Sequence, residues 1–141
     1  MPRVLGTDRP RAIALVASIF LYLLSLRLPA LLLEGEAPVY GYEVLFNGIL
    51  ALFMLVPAWL ANFIYLCGAW YYWRGDFTEA VSCASTALVL GATSVLARSY
   101  YTKGSGVKIE ALGPAFYVWM LAFAVLFVAA AWHKRTSTRP G

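Results

Sequence analysis

Histidine occurs once in this chain, cysteine twice, and Asp and Glu together only seven times in 141 residues. A single histidine, His133, cannot supply the two His ligands of a haem held between helices, and the few His, Cys, Asp and Glu residues show no metal-ligand spacing. Cys67 and Cys83 form no C-x-x-C motif, so dithiol redox chemistry is not expected. Packing as small apolar residues in a reducing compartment is the expectation for both. No nucleophile and base, and no pair of carboxylates, stand at a common depth, so an enzyme is not expected. We therefore assign no catalytic residue, no metal and no cofactor. Basic residues are not interleaved with aromatics, which argues against nucleic acid as a partner.

Apolar residues are what the chain does contain. It is 62% hydrophobic and 13% charged, with a mean hydropathy of +0.72, far from the soluble average. The apolar residues fall into four stretches, at 12–33, 44–73, 80–97 and 114–132, and every charge except Arg27 lies between or outside them. About 20 such residues cross the hydrocarbon as a helix. The expected fold is an all-α membrane protein: four transmembrane helices in an up-down bundle, forming one domain over 1–141. With four spans, Arg3, Arg9, Arg11, Arg74, Lys134, Arg135 and Arg139 share one side. Arg27, Arg98, Lys103 and Lys108 share the other, where Glu34, Glu36, Glu43 and Glu110 offset them. The richer basic side places both termini in the cytoplasm, and the net charge of +4 adds an attraction to anionic lipid. A cleaved signal peptide is the competing reading of the first thirty residues. Arg27, Pro29 and the leucines at 31–33 extend the run beyond a normal h-region, without a clear small-x-small site.

The third stretch carries Ala80, Ala84, Ala87, Gly91 and Ser94 in a three-four alternation, which draws a narrow seam down a helix. Ala115, Ala122 and Ala129 give the fourth a similar one. In lipid such seams permit close helix approach, either within the bundle or between copies. The second stretch would be about 45 Å long as a straight helix, so a bend at Pro57 is expected. Asn47 and Asn62 bracket that proline and must find partners inside the membrane. Glu43 shares a helix face with Asn47 and is a candidate partner for Arg27, with Arg98 as a second. The alternative for Arg27 is snorkelling to the outer interface, with residues 28–33 lying along it after a break at Pro29. Tyr40, Tyr42, Tyr100, Tyr101, Tyr117 and Trp119 on one side, and Trp70, Tyr71, Tyr72, Trp73 and Trp132 on the other, match interfacial belts. His133 is expected in a solvated cationic cluster with Lys134 and Arg135. Gly104, Ser105 and Gly106 read as a flexible turn.

Certain short segments carry a resemblance. Leu28-Pro29-Ala30, Gly41-Tyr42-Glu43-Val44-Leu45 with Gly48, Trp59-Leu60-Ala61-Asn62, and Gly113-Pro114-Ala115-Phe116-Tyr117-Val118-Trp119 resemble small uncharacterised bacterial four-span inner-membrane proteins. The resemblance implies a bacterial inner (plasma) membrane location and points to Glu43, Asn62 and Tyr117, and it supplies no activity. A proline tends to follow the asparagine in that group, whereas Phe63 stands here. Other small four-span families fit less well. Multidrug exporters need a membrane acid in span one, quinone-linked thiol oxidases need two outward cysteine pairs, and integral glutathione-type enzymes need a cluster of Arg, His, Asn and Glu.

The expected function is non-enzymatic: an accessory or assembly subunit of a membrane complex. Its partners would be membrane lipid and another membrane protein, or itself as a homo-oligomer. A small homo-oligomeric transporter or pore lined by Asn47, Asn62, Ser82, Ser85, Thr86 and Thr93 is the first alternative. An immunity protein against a pore-forming toxin is the second.

Overall fold

A computed structural model describes residues 8–51, 57–96, 99–102 and 105–137. Helices dominate: α1 (Asp8–Arg27), α2 (Gly41–Ala51), α3 (Pro57–Arg74), α4 (Phe77–Ala92) and α5 (Pro114–Ser137). A 3-10 turn at Thr93–Leu96 extends α4. Three helical segments, Arg9–Arg27, Phe77–Leu96 and Pro114–Ser137, are long and apolar enough to cross a membrane, so the chain is a membrane protein by length and composition. The 18-residue α3 ends in Trp70-Tyr71-Tyr72-Trp73-Arg74, and these interfacial residue types lower its hydropathy relative to the other three.

On α1 the uncharged polar side chains of the apolar stretch face inward. Along α1 the inward stripe is Arg11, Ala14, Ser18, Tyr22 and Ser25, with Ser18, Tyr22 and Ser25 buried, while Ile13, Val16, Phe20 and Leu23 face outward. A water-soluble helix would reverse this arrangement. In lipid the apolar face already matches its solvent, and buried polar groups bond across helices.

Residue size sets the helix spacing. Ala80, Ala84, Ala87 and Gly91 are buried on α4, and Ala61 and Ala69 of α3 and Ala122 and Ala130 of α5 are buried in the same cluster. A Cβ added at Gly68 would meet Cys83 Cβ at 3.1 Å, and one at Gly91 would meet Met120 Sδ at 2.8 Å. The seam expected on the third stretch therefore lies inside the chain, between α4 and its neighbours α3 and α5, with Ser94 half-buried in the 3-10 turn. On α5, Ala115 and Ala122 are buried and Ala129 is half-buried. The other side of the bundle is wider. There the side chains of Tyr22 and Tyr65 reach between α1 and α3, their rings stacked with centroids 5.0 Å apart.

Local chemistry fixes the turn between α3 and α4. Gly75 has φ +91°, its N–H reaches the Tyr72 carbonyl at 3.1 Å, and the Asp76 N–H reaches the Tyr71 carbonyl at 3.0 Å. This is a Schellman close, and it turns the chain directly into α4.

At the opposite end the structure departs from the all-helical expectation. The stretch expected to run helically over 12–33 stops at Arg27, because the residue before a proline avoids the α region and Pro29 lacks a donor. Beyond it, β1 (Pro29–Leu33), β2 (Val39–Tyr40), β3 (Ser99–Thr102) and β4 (Ser105–Leu112) form an antiparallel sheet in the order β2-β1-β4-β3. Leu31 pairs with Leu112 and Leu32 with Ala111, and Ser99 to Thr102 pair with Lys108 to Ser105. Ser105 and Gly106, expected in a flexible turn, belong to β4; Gly104 lies outside the described residues.

Two glycines seat this sheet on the bundle. The Gly41 N–H donates to the Leu28 carbonyl at 2.9 Å and the Gly113 N–H to the Ala30 carbonyl at 2.8 Å. A Cβ at Gly41 would overlap the Ser25 carbonyl oxygen, and one at Gly113 the Pro29 carbonyl oxygen. The second stretch holds two helices, with Pro57 as the first residue of α3, a position where its missing N–H costs little.

Candidate functional site

Asn62 stands at the centre of the polar interior. Its Oδ1 accepts from Tyr22 Oη at 3.0 Å and from Trp119 Nε1 at 3.0 Å, and its Nδ2 donates to the Trp59 carbonyl at 3.2 Å. One amide thereby ties α1, α3 and α5 together. A turn away, Ser18 Oγ donates to the Ala122 carbonyl at 2.8 Å and lies 2.8 Å from Tyr65 Oη, so the tyrosine hydroxyl is the donor in that pair. Trp59 Nε1 reaches back to the Leu45 carbonyl of α2 at 3.0 Å. The ring series Tyr22–Tyr65–Phe123–Trp119 fills the space between these bonds, with centroid separations of 5.0, 4.8 and 4.6 Å. Among the described residues no buried side-chain nitrogen or oxygen lacks a partner. A fully satisfied network rigidifies a core, and it presents no unpaired group to a ligand.

A second cluster closes the end where α1 and α4 begin and α3 and α5 finish. Arg11 Nε donates to the Tyr72 carbonyl at 3.1 Å, and its guanidinium lies 5.6 Å from the Phe77 ring centroid. Phe77 stacks on His133 at 5.3 Å. His133 Nδ1 is 2.8 Å from the Ala129 carbonyl and 3.2 Å from Tyr72 Oη. A carbonyl only accepts, so Nδ1 carries the proton, which the tyrosine hydroxyl shares as a weaker acceptor. His133 is thus half-buried and packed, where a solvated cation was expected, because an aromatic pocket takes the ring face and α5's own carbonyl takes the N–H.

The remaining candidates are more dispersed. Glu43 Oε2 accepts the Tyr40 N–H at 2.9 Å, which caps the first turn of α2 in the manner of a capping box. Arg27 ends α1 with its side chain exposed, and the described ion pair at this end is Lys108–Glu34 at 3.9 Å, between exposed side chains. Such a pair contributes little. Asn47 and Tyr117 are exposed, and Arg98 lies outside the described residues. Cys67 and Cys83 are free thiols on the closely packed α3 and α4.

One outward surface differs from the rest. On α4, Thr78, Ser82, Thr86 and Val89 are exposed at helical spacing, a stripe opposite to the buried alanine seam. The hydroxyls near it bond within their own helix: Ser85 Oγ and Thr86 Oγ1 both donate to the Ser82 carbonyl, at 2.9 and 2.8 Å, and Thr93 Oγ1 to the Leu90 carbonyl at 2.5 Å. The outward faces of α1 and α5 carry Ile13, Val16, Phe20 and Leu23, and Leu121, Val128 and Trp132.

Sequence reasoning singled out Asn62 but missed Ser18, Tyr22 and Ser25. Their spacing of four and three residues within an apolar span was the available signal. No protein-family model, curated protein or solved structure matches the chain.

Proposed function

We propose that this chain is a non-enzymatic accessory or assembly subunit of a membrane complex, docking another membrane helix on the outward stripe of α4. The observation that carries the reading is the contrast between that stripe and the outward faces of α1 and α5. Small hydroxyl residues gain little from contact with lipid tails, whereas they let a second backbone approach and supply hydrogen bonds to it. The Ala80, Ala84, Ala87 and Gly91 seam is engaged within the chain, which leaves the opposite stripe for docking. The reading takes α3 as a fourth span, with both termini in the cytoplasm of a bacterial cell and the protein in its inner membrane. The charge asymmetry and the short α3–α4 turn support that arrangement.

The double substitution Ser82→Leu with Thr86→Leu tests it. Both positions are exposed, so the bundle should keep its thermal unfolding midpoint while a partner that co-purifies with the native protein is lost. Retention of that partner by a folded double variant would contradict the docking surface.

The same stripe favours a second reading, in which copies of the chain face a shared axis and form a small pore or carrier. Asn62 drops out of such a lining, because its amide is engaged inside one chain. Solute or ion flux in reconstituted vesicles, abolished by the same double substitution, would favour the pore.

A further inference from the structure

Cys83, half-buried on α4, is set against the backbone of α3: its Cβ lies 3.1 Å from the point where a Cβ on Gly68 would stand. The residue next to Gly68 is Cys67, which is exposed on α3. The turn at Gly75 folds the two helices back on each other and brings both cysteines to one depth. Cys67 is seven residues before Arg74 and Cys83 six after Phe77, so each stands about 10 Å from its helix end. The two thiols lie within electrostatic range of each other, and Glu79 lies within range of Cys83, four residues before it on the same helix face. Packing accounts for a small residue at Cys83, against Gly68. It does not account for one at Cys67, whose outward neighbours Phe63, Leu66 and Trp70 are large and exposed.

We propose that Cys67 and Cys83 form a dithiol site that a lipid-soluble quinone oxidises to one intramolecular disulfide joining α3 to α4. Both S–H bonds break and one S–S bond forms, and the two electrons and two protons pass to the quinone, which leaves as the quinol. The thiolate is the reactive form of a cysteine, and the Glu79 carboxylate is placed to take the Cys83 proton, which then passes to the reduced ring. Geometry favours the bond: a disulfide holds its Cβ atoms about 3.8 Å apart, and the Cys83 Cβ already abuts the α3 backbone beside Cys67. Exposure of Cys67 among apolar side chains selects an oxidant dissolved in lipid over one dissolved in water. The inference rests on placement of α3 and α4 in a membrane and is independent of docking on the α4 stripe.

The test exposes the full chain, reduced and reconstituted in phosphatidylcholine vesicles, to a short-tailed ubiquinone, whose ring has no open carbon for thiol addition. Remaining thiols are then counted by maleimide labelling after denaturation and by intact mass, and quinol is read by absorbance. The expected result is a monomer lighter by two hydrogen masses, with no maleimide added, an equal amount of quinol, and a reducible link between the peptides that carry Cys67 and Cys83. Cys67→Ser and Cys83→Ser should each leave the remaining thiol free and yield no quinol. Moving the α4 thiol by one residue, with Ser82→Cys and Cys83→Ser together, turns it toward the exposed stripe and should abolish the bond. Glu79→Gln should slow oxidation by about ten-fold or more without lowering the final yield, and an unchanged rate would remove Glu79 from the step. Two free thiols on the native chain, after the quinone has oxidised dithiothreitol added to the same vesicles, would overturn the site. So would a dimer linked through Cys67 between chains, or an equal yield from the displaced pair.

Discussion

Asn62 accepts two hydrogen bonds from two different helices on one oxygen atom, so its removal strands more than its own side chain. Asn62→Leu leaves the Tyr22 hydroxyl and the Trp119 indole N–H without their acceptor in an apolar interior. We predict a destabilisation of about 1–2 kcal/mol, since interhelical bonds in membranes average only about 0.6 kcal/mol each but stranded donors add a penalty. Tyr22→Phe, which removes one donor and leaves the acceptor occupied, should cost less than half as much; equilibrium unfolding in micelles measures both. Sequence made the asparagine conspicuous, because an amide in an apolar stretch must be satisfied. It did not reveal the partners, since tyrosine and tryptophan at those depths also suit a belt, and Trp119 was assigned to one. Glu43 shows a similar ambiguity. A carboxylate three residues from a backbone N–H at a helix start has a partner at hand, and that local bond prevails over a pairing with Arg27 that would need two elements to be positioned first.

At the scale of elements, the α4 seam was legible as a line of close helix approach, because small residues in a three-four alternation permit one in lipid, while the alternation alone left open whether the neighbour is in the same chain or in another copy. Gly91→Leu should destabilise the bundle by about 1–3 kcal/mol, as overpacking does, because even its Cβ would stand 2.8 Å from Met120 Sδ. A thermal melt followed by circular dichroism would register it as a lower midpoint. The sheet was less legible. Pro29–Leu33 is uniformly apolar, which reads as readily as the end of a span, and the alternation of Val107, Lys108, Ile109 and Glu110 was the neglected sign of a strand. The register depends on a close approach that only glycine permits at residue 113. Gly113→Val would place a side chain on the Pro29 carbonyl, and it should release β1 and β4 while α1 and α5 remain helical. Faster amide exchange at residues 29–33 and 105–112, with unchanged exchange in the helices, is the expected pattern.

For the whole molecule, the aromatic girdles expected from sequence are partly present. Trp70, Trp73 and Trp132 are exposed near one end, and Tyr40, Tyr42 and Tyr117 near the other, as anchoring at two interfaces requires. Tyr72 and Trp119 leave those girdles to bond inside the bundle. Among the described residues the buried side-chain groups are mutually satisfied, and the surface proposed for docking, the hydroxyl stripe of α4, lies on the outside. The most direct measurement is the native mass of the protein extracted gently from its own membrane, alongside the Ser82→Leu with Thr86→Leu variant. A second membrane protein bound at fixed stoichiometry to the native chain and absent from the folded variant is the predicted result. A native chain found alone, or only with copies of itself, would contradict the docking account.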